Sequence, residues 1–499
     1  MRITSGMMIA NSLSNINDNK LRWNNLNTQM ETMQKIQRPS EDPIIAVRAL
    51  RLRTTYSQIE QYLSRNIADA KNWMSYTNLA ITQIENTLGD ITTYLEQGAN
   101  GYLEETDKAT IVQTLSTYRD QIFSTANSDY ASRTIFTGYK TDSVLAYNKD
   151  EPDLKYEINE SFNFDDIRKE KKIINGIDIS QVKMGTIADL DVSAMDVPEY
   201  EDAYIMRLGY DEIDTPAADA ELNLYKKDAD GNVVLDSTIT AVTKTLSDAD
   251  AYKPGDDEVY FIPEKGEYVF GKNVYAQLEE CERVDVTYTK TGFEEGDLNP
   301  VHYFNCTDIS DENNPIVYTL KDQPIQYEVS FNHNMTINIQ GKDVFQHDMT
   351  RDIDEIIDTV NDAIACQNNV DKIKELCDSY EEGTDEREKL NELLTMAERE
   401  MDYATDRMNK MFAAGLTKYH EHQSTVSLAN ADIGARQQRL ELTESRLSDQ
   451  KLTVKNLKDN NEKIDEIQVT IELKQASSVY DASLATASKI IQKKLIDFL

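Results

Sequence analysis

From Leu63 to Leu95 the apolar or small positions run Leu63, Ile67, Ala70, Met74, Thr77, Ile81, Ile84, Leu88, Ile91, Leu95, alternating steps of four and three without a miss. That period belongs to an α-helix with a heptad seam, not to a strand. A helix of this length spans ~50 Å at 1.5 Å per residue, and it must lay its stripe against at least one equally long partner. Candidate partners stand at the far end of the chain. Leu390, Leu394, Ala397, Met401, Ala404, Met408 and Met411 repeat the rhythm, and Leu440, Leu447, Val454, Leu457, Ile464 and Ile471 give another seam. The simplest arrangement pairs the two ends in a coiled-coil-like bundle and leaves everything between them as an insert.

Beyond Gly138 the periodicity shortens. Leu222–Tyr225 and Val233–Leu235 flank Asp230-Gly231 and read as a hairpin; further strand-like runs are 259–262, 268–270, 284–288, 325–331 and 335–339. Helix returns near Met349, with Ile353, Ile356, Ile357, Val360 and Ile364 as its stripe. The fold class is therefore α+β. The expected division is 1–37 with 460–499 as terminal helical tails, 38–142 with 347–459 as a helical bundle domain, and 143–346 as a β-rich outer insert that could form two subdomains. The formal net charge is -37, and residues 142–343 hold 44 acidic against 18 basic side chains, so most of the surplus sits in the insert. Its plain meaning is a solvated, self-repelling surface.

The tails carry weaker seams. Ile9, Ile16, Trp23 and Met30 recur every seven residues beside Leu13, Leu26 and Met33, while Tyr480, Leu484, Ala487, Ile491, Leu495 and Phe498 share one face near the other end. Seven asparagines between Asn11 and Asn27 make the first helix a poor one alone. Ordering its backbone costs about 1–2 kcal/mol per residue before any packing gain. Both tails are expected to be largely disordered in the free chain and to fold as neighbouring subunits bury these stripes. The candidate assembly residues are Ile9, Leu13, Ile16, Trp23, Leu26, Met30, Tyr480, Leu484, Ile491, Leu495 and Phe498. A breaker, Arg38-Pro39-Ser40-Glu41-Asp42-Pro43, follows the first helix as a joint between domains. There Asp42 suits a cap and Pro43 the first turn of the next helix.

The charge argues against nucleic acid or an anionic membrane as partner, since both attract basic surfaces. No run of ~20 apolar residues suits a membrane span, and Met1–Ala10 lacks the apolar core of a cleavable secretory signal. Cys281, Cys306, Cys366 and Cys377 are too few for a disulfide framework and read as packing residues. The histidines 302, 333, 347, 420 and 422 are scattered and read as surface residues; His420-Glu421-His422 lacks the i, i+4 spacing of a zinc helix. Asp228, Asp230 and Asn232 resemble a calcium loop only superficially, because Gly231 comes two positions early and Ile239 stands where a closing glutamate belongs. No phosphate loop or nucleophile elbow appears. The chain is read as a non-enzyme with no catalytic residues, no cofactor and no metal.

The ends resemble the bacterial flagellin family, and within it the hook-associated members rather than filament flagellin. The resemblance rests on Met1-Arg2-Ile3-Thr4-Ser5-Gly6-Met7-Met8, the 38–43 joint, Ile135-Phe136-Thr137-Gly138-Tyr139-Lys140-Thr141-Asp142, Gly434-Ala435-Arg436 within 431–440, Val479-Tyr480-Asp481-Ala482-Ser483-Leu484 and Lys494-Leu495-Ile496-Asp497-Phe498-Leu499. It covers residues 1 to about 142 and about 347 to 499. It implies a structural, self-assembling subunit that acts as an adaptor at the hook–filament junction and contributes to motility. Implied partners are a neighbouring hook-associated protein, flagellin, copies of itself in a ring, and an export chaperone on the C-terminal helices from Asp459 to Leu499. It further implies an extracellular location reached through the flagellar secretion apparatus without a cleaved signal, and tails that line an inner tube. Two alternatives stay open: a flagellin that builds the filament itself, and a flagellar scaffold whose insert binds glycans or acts as an enzyme.

Overall fold

The breaker folds as its residues dictate. Asp42 is extended (φ -147°, ψ 99°), its carboxylate accepts from the N–H groups of Ile44 and Ile45 at 2.9 and 3.0 Å, and Pro43 opens the next helix. A computed structural model describes residues 5–496 apart from 101–104, 178, 180–181, 184, 186, 190, 193–194, 217–218, 229–230, 249 and 312. Four helices come first: α1 (Ser5–Thr32), α2 (Pro43–Gln61), α3 (Ile67–Asn100) and α4 (Glu105–Ala126). A π-helical turn, Tyr62–Asn66, joins α2 to α3. Strands β1 (Asp129–Tyr130), β2 (Arg133–Thr134), β3 (Glu151–Phe162), β4 (Ile167–Ile174), β5 (Glu199–Arg207), β6 (Ala220–Lys227), β7 (Val233–Thr243), β8 (Val259–Ile262) and β9 (Glu267–Phe270) follow. After the short α5 (Lys272–Leu278) come β10 (Arg283–Phe293), β11 (Asn305–Asp308), β12 (Ile316–Tyr318), β13 (Gln326–Ser330) and β14 (His333–Thr336). The chain closes with α6 (His347–Asp378), α7 (Asp385–Glu462) and α8 (Glu466–Ile496).

The chain divides into two compact units, one built from residues 1–71, 327–335 and 438–499 and the other from 72–326 and 336–437. In the second, the heptad stripe of α3 is covered as its spacing requires: Met74, Thr77, Ile81, Ile84, Leu88, Ile91 and Leu95 are all fully buried. Its partner is α7. Asn78 donates to Asn430 at 2.9 Å and Asn430 to Glu85 at 2.8 Å, and a Cβ on Gly98 would lie 2.5 Å from the Phe412 ring, so glycine there permits the close approach. Helix α4 packs on α6, with Arg119 paired to Asp354 at 2.6 Å.

One continuous α7 of 78 residues carries the first C-terminal seam read from the sequence and the second as far as Leu457, whereas Ile464 lies past its end. Its buried positions drift from the expected ones: Leu393 and Phe412 are buried where Leu394 and Met411 are only half-buried, and Leu440 and Leu447 are covered while Leu457 is exposed. A straight helix turns 3.6 residues per turn, so a strict 3.5 repeat walks off the contact face over many turns. Ile471 is also exposed, on α8. Gly138 has φ +63° in a turn whose side-chain space is filled by Gln323, whereas Gly434 sits inside α7 with open space around it.

Between residues 143 and 346 ten strands form one sheet in the order β12-β11-β3-β10-β6-β7-β8-β9-β5-β4, antiparallel except where β7 meets β8, and β13 and β14 pair separately. The β6–β7 hairpin forms as the sequence predicts. Strands β3, β4 and β5 escape a reading by apolar alternation, because β4 reads Ile-Arg-Lys-Glu-Lys-Lys-Ile-Ile and β5 opens Glu-Tyr-Glu-Asp. The main core beneath the sheet gathers Ile158, Met206, Leu222, Leu224, Phe261, Tyr268, Phe270, Val286 and Phe293. Cys306 belongs to that core and Cys377 to a second cluster with Val370, Ile373 and Leu390, so both are packing residues. All four cysteines are free.

The surface reading of the histidines is corrected at three positions. His302 is buried, with its Nε2 2.9 Å from the Ser143 hydroxyl, and burial pushes its pKa down to about 4. His347 lies among the rings of Tyr210, Tyr303 and Phe304, and burial pushes it down to about 3. His422 is buried between Gln346 and Asp352. Single histidines carry no periodic signal, so only the surrounding strands and helices decide their burial.

Candidate assembly interface

In the first unit α1 and α8 pair along their length. The contact is thin. Leu26, Val469 and Ala476 are its buried members, flanked by half-buried Trp23, Met30, Ile464 and Leu473. Trp23 stacks on Tyr480 with centroids 6.4 Å apart and planes 11° from parallel. The open end of the pair is fixed by backbone: Lys35 N–H donates to the Glu462 carbonyl at 2.8 Å and Ile464 N–H to that of Met33 at 3.3 Å. Arg53 on α2 grips Glu462 with two parallel bonds of 2.7 and 2.9 Å, and Asn461 donates to the Ile45 carbonyl at 3.1 Å.

The sequence-derived residues divide into two groups. Trp23, Leu26, Met30 and Tyr480 meet inside the chain, across the α1–α8 seam. Leu13 is 55% exposed, Leu484 is 43% exposed, and Ile9 and Ile16 are half-buried. The side chains of Ile491 and Leu495, and Phe498 altogether, lie outside the described residues.

The structure adds exposed apolar residues that were not among the sequence-derived assembly residues. On α2, Ile44 (72%), Val47 and Leu50 (63%) face solvent while Ala46 and Ile59 turn inward. On α8, Ile467 (75%), Ile471 and Val479 are exposed at helical spacing on the side away from Val469 and Ala476. Met7, Met8 and Leu21 are also exposed on α1. The missed signal was a second apolar face: 467, 471 and 479 differ by multiples of four, while 469 and 476 form the seam. Single exposed apolar residues are ordinary, but the concentration of them on three neighbouring helices makes this face the candidate contact surface. Chemically such a surface can only bury itself; among the described residues it brings together no set of metal ligands.

The second unit carries a buried polar cluster instead. Arg207 on β5 pairs with Asp352 at 2.6 Å, Asp348 at 2.7 Å and Glu355 at 3.0 Å, all on α6. Arg168 on β4 and Lys418 on α7 reach Asp352 at 3.3 and 3.1 Å, and His422 stands 3.4 Å away. Burial alone would raise the Asp352 carboxyl, yet Arg207, His422, Lys418 and Arg168 outweigh it and hold it well below the usual carboxylate range. Each arginine, lysine and carboxylate of the cluster stands beside an opposite charge, so the cluster joins sheet to helices rather than offering a reactive group. No local pattern announced it, because β4 reads as a solvated charge run.

Residues 3–141 match the family described as the bacterial flagellin N-terminal helical region. The chain is 34% identical over 146 residues to the flagellar hook-associated protein 3 of Salmonella typhimurium and 30% identical over 146 residues to that of Escherichia coli. Each match covers 29% of this chain and 45% of the relative, so the chain spans under half the length of the curated relatives it matches. These relatives bear the names of hook-associated proteins, not of enzymes. Among solved structures, the flagellar junction protein of Legionella pneumophila aligns over 84% of this chain and 100% of its own, at 12% identity and a TM-score of 0.29, too distant to bear on the fold. Among the described residues, no helix is long and apolar enough to cross a membrane.

Proposed function

We propose that this chain, whose residues 3–141 carry a flagellin-type N-terminal helical region, is a structural subunit of the bacterial flagellum that serves as adaptor between hook and filament. The observation that carries the reading is the set of uncovered apolar stripes on α1, α2 and α8. Burying them against neighbours releases about 25 cal/mol per Å² of apolar surface, less the cost of ordering. Binding is then mechanical. The tails 1–37 and 460–499 line an inner tube and complete their folding on assembly, 38–142 with 347–459 form the next shell, and the acidic 143–346 faces solvent.

The partners in this reading are a preceding hook-associated protein, flagellin and further copies of the chain, with an export chaperone on the C-terminal helices before assembly. The location is extracellular, reached through the flagellar export apparatus without cleavage of a signal. Cells lacking their own junction protein test this. The full chain should restore swimming, Ile471→Asp and Leu13→Asp together should abolish it, and restoration by a chain lacking both tails would overturn the reading. Negative staining separates the filament alternative, since a junction adaptor does not build long filaments unaided.

A further inference from the structure

The two compact units differ sharply in charge. The first holds 20 basic and 17 acidic side chains, a net of +3, within a chain of net charge -37. The second holds the remaining 32 basic against 72 acidic, a net of -40. The basic surplus of the first unit comes from residues 1–71, which carry ten bases and six acids, and three of those bases stand close together on α2 as Arg48, Arg51 and Arg53.

Helix α2 divides these arginines between two faces. Arg53 grips Glu462 within the chain. Arg48 and Arg51 are exposed, and neither has a carboxylate within ion-pair distance among the described residues. Positions 44, 47, 48 and 51 are three and four residues apart, so both guanidinium groups share the outward face of Ile44 and Val47. Ile45, Ala46, Ala49 and Leu52 are covered or half-covered on the other side. The outward face is therefore apolar and basic at once, in a molecule where acids outnumber bases 89 to 52.

We propose that this face of α2 docks on the acidic second unit of a second copy, so that copies join head to tail. Charge selects that occupant. Two second units repel, two first units attract little, and the pairing of +3 with -40 is the favourable one. Ile44 and Val47 supply the apolar centre that a contact buries, and Arg48 and Arg51 supply the charges around it. Arginine suits the role better than lysine, since its planar fork takes a carboxylate with two parallel hydrogen bonds. Different parts of one chain meet in such a contact, so it is heterologous and repeats into a ring or filament instead of stopping at two copies. An anionic lipid surface is the poorer occupant, because it would draw the -40 unit toward like charge. The proposal deepens the reading of the chain as an assembling subunit and rests on it for the role of α2.

Photo-cross-linking of the purified full chain tests it, without hook, filament or cells, so a failure here leaves the swimming test of the adaptor reading untouched. Val47 is replaced by p-benzoylphenylalanine, and isotopically light and heavy chains are mixed equally. Irradiation should give light–heavy products that join position 47 to residues 72–326 or 336–437 of the other copy. Their yield should fall about ten-fold in 1 M salt, where charge reaches only about 3 Å. It should fall about ten-fold again when Arg48→Glu and Arg51→Glu are combined, while Arg48→Lys with Arg51→Lys keeps most of it and neither pair shifts the melting temperature. Products that map to the first unit of the other copy, or a yield that holds or rises with salt, would overturn the proposal. So would the absence of light–heavy product at high micromolar concentration, or binding to phosphatidylglycerol–phosphatidylcholine vesicles that the glutamate pair abolishes.

Discussion

The α3 stripe and the α1–α8 pair are written in the same heptad language, yet they end in opposite states. Met74 through Leu95 lose all contact with water inside their own chain. Among the described side chains of α1 and α8 only Leu26, Val469, Ala476 and Ala487 are buried, and each helix keeps large apolar residues in solvent. The difference lies in the number of partners, not in the seams. Helix α3 has α7 beside it within a unit that also buries a sheet core and a charged cluster, while α1 and α8 have chiefly each other. The lesson is that a heptad repeat specifies a helix needing company, and whether the company comes from the same molecule is a separate fact.

Four measurements can break or sharpen this contrast. The largest effect is expected in the second unit, where Asp352→Ala removes the buried carboxylate shared by Arg207, Arg168 and Lys418 and should cost about 3–5 kcal/mol of unfolding free energy in urea. A loss under about 1 kcal/mol would mean that the cluster does not hold sheet to helices. Next, Leu88→Ala in the covered stripe should cost about 2–5 kcal/mol, because the closed seam cannot collapse into the hole.

The third concerns Glu160 on β3, which accepts from Gly209 N–H at 3.1 Å and the Tyr288 hydroxyl at 2.9 Å. Burial raises its pKa to about 7. A carboxyl raised in the fold favours the protonated state, so its contribution is complete below the unfolded value of 4.5 and lost as pH climbs through about 7. Glu160→Gln should therefore melt progressively higher than the parent between pH 5 and pH 7, with a gap of a few degrees that levels off above. A constant gap would show that Glu160 ionises freely. His302 and His347, both depressed, oppose this in the parent as pH falls below 6.5, and the paired difference between variant and parent removes them.

The smallest effect on the isolated chain is expected at the exposed stripe. Ile471→Ser should change its stability by no more than about 0.5 kcal/mol. In flagella the same substitution should sharply reduce incorporation. If it instead destabilised the free chain as Leu88→Ala does, the two regions would not differ in kind.

What could be read from residues alone was whatever depends on neighbours along the chain. The α3 seam, the Asp42–Pro43 helix start, the β6–β7 hairpin and the β8 strand all follow from spacing and turn chemistry within a few residues. The α+β class and the placement of the acidic insert followed from the change of period. Other features waited for the fold, because they depend on groups that meet from distant parts of the sequence. Arg207 and Asp352 are 145 residues apart, and His302 and Ser143 are 159 apart. The same holds for which of two apolar faces on α8 is covered. A side chain's burial is a property of what stands opposite it, and a linear pattern specifies the face without naming the partner.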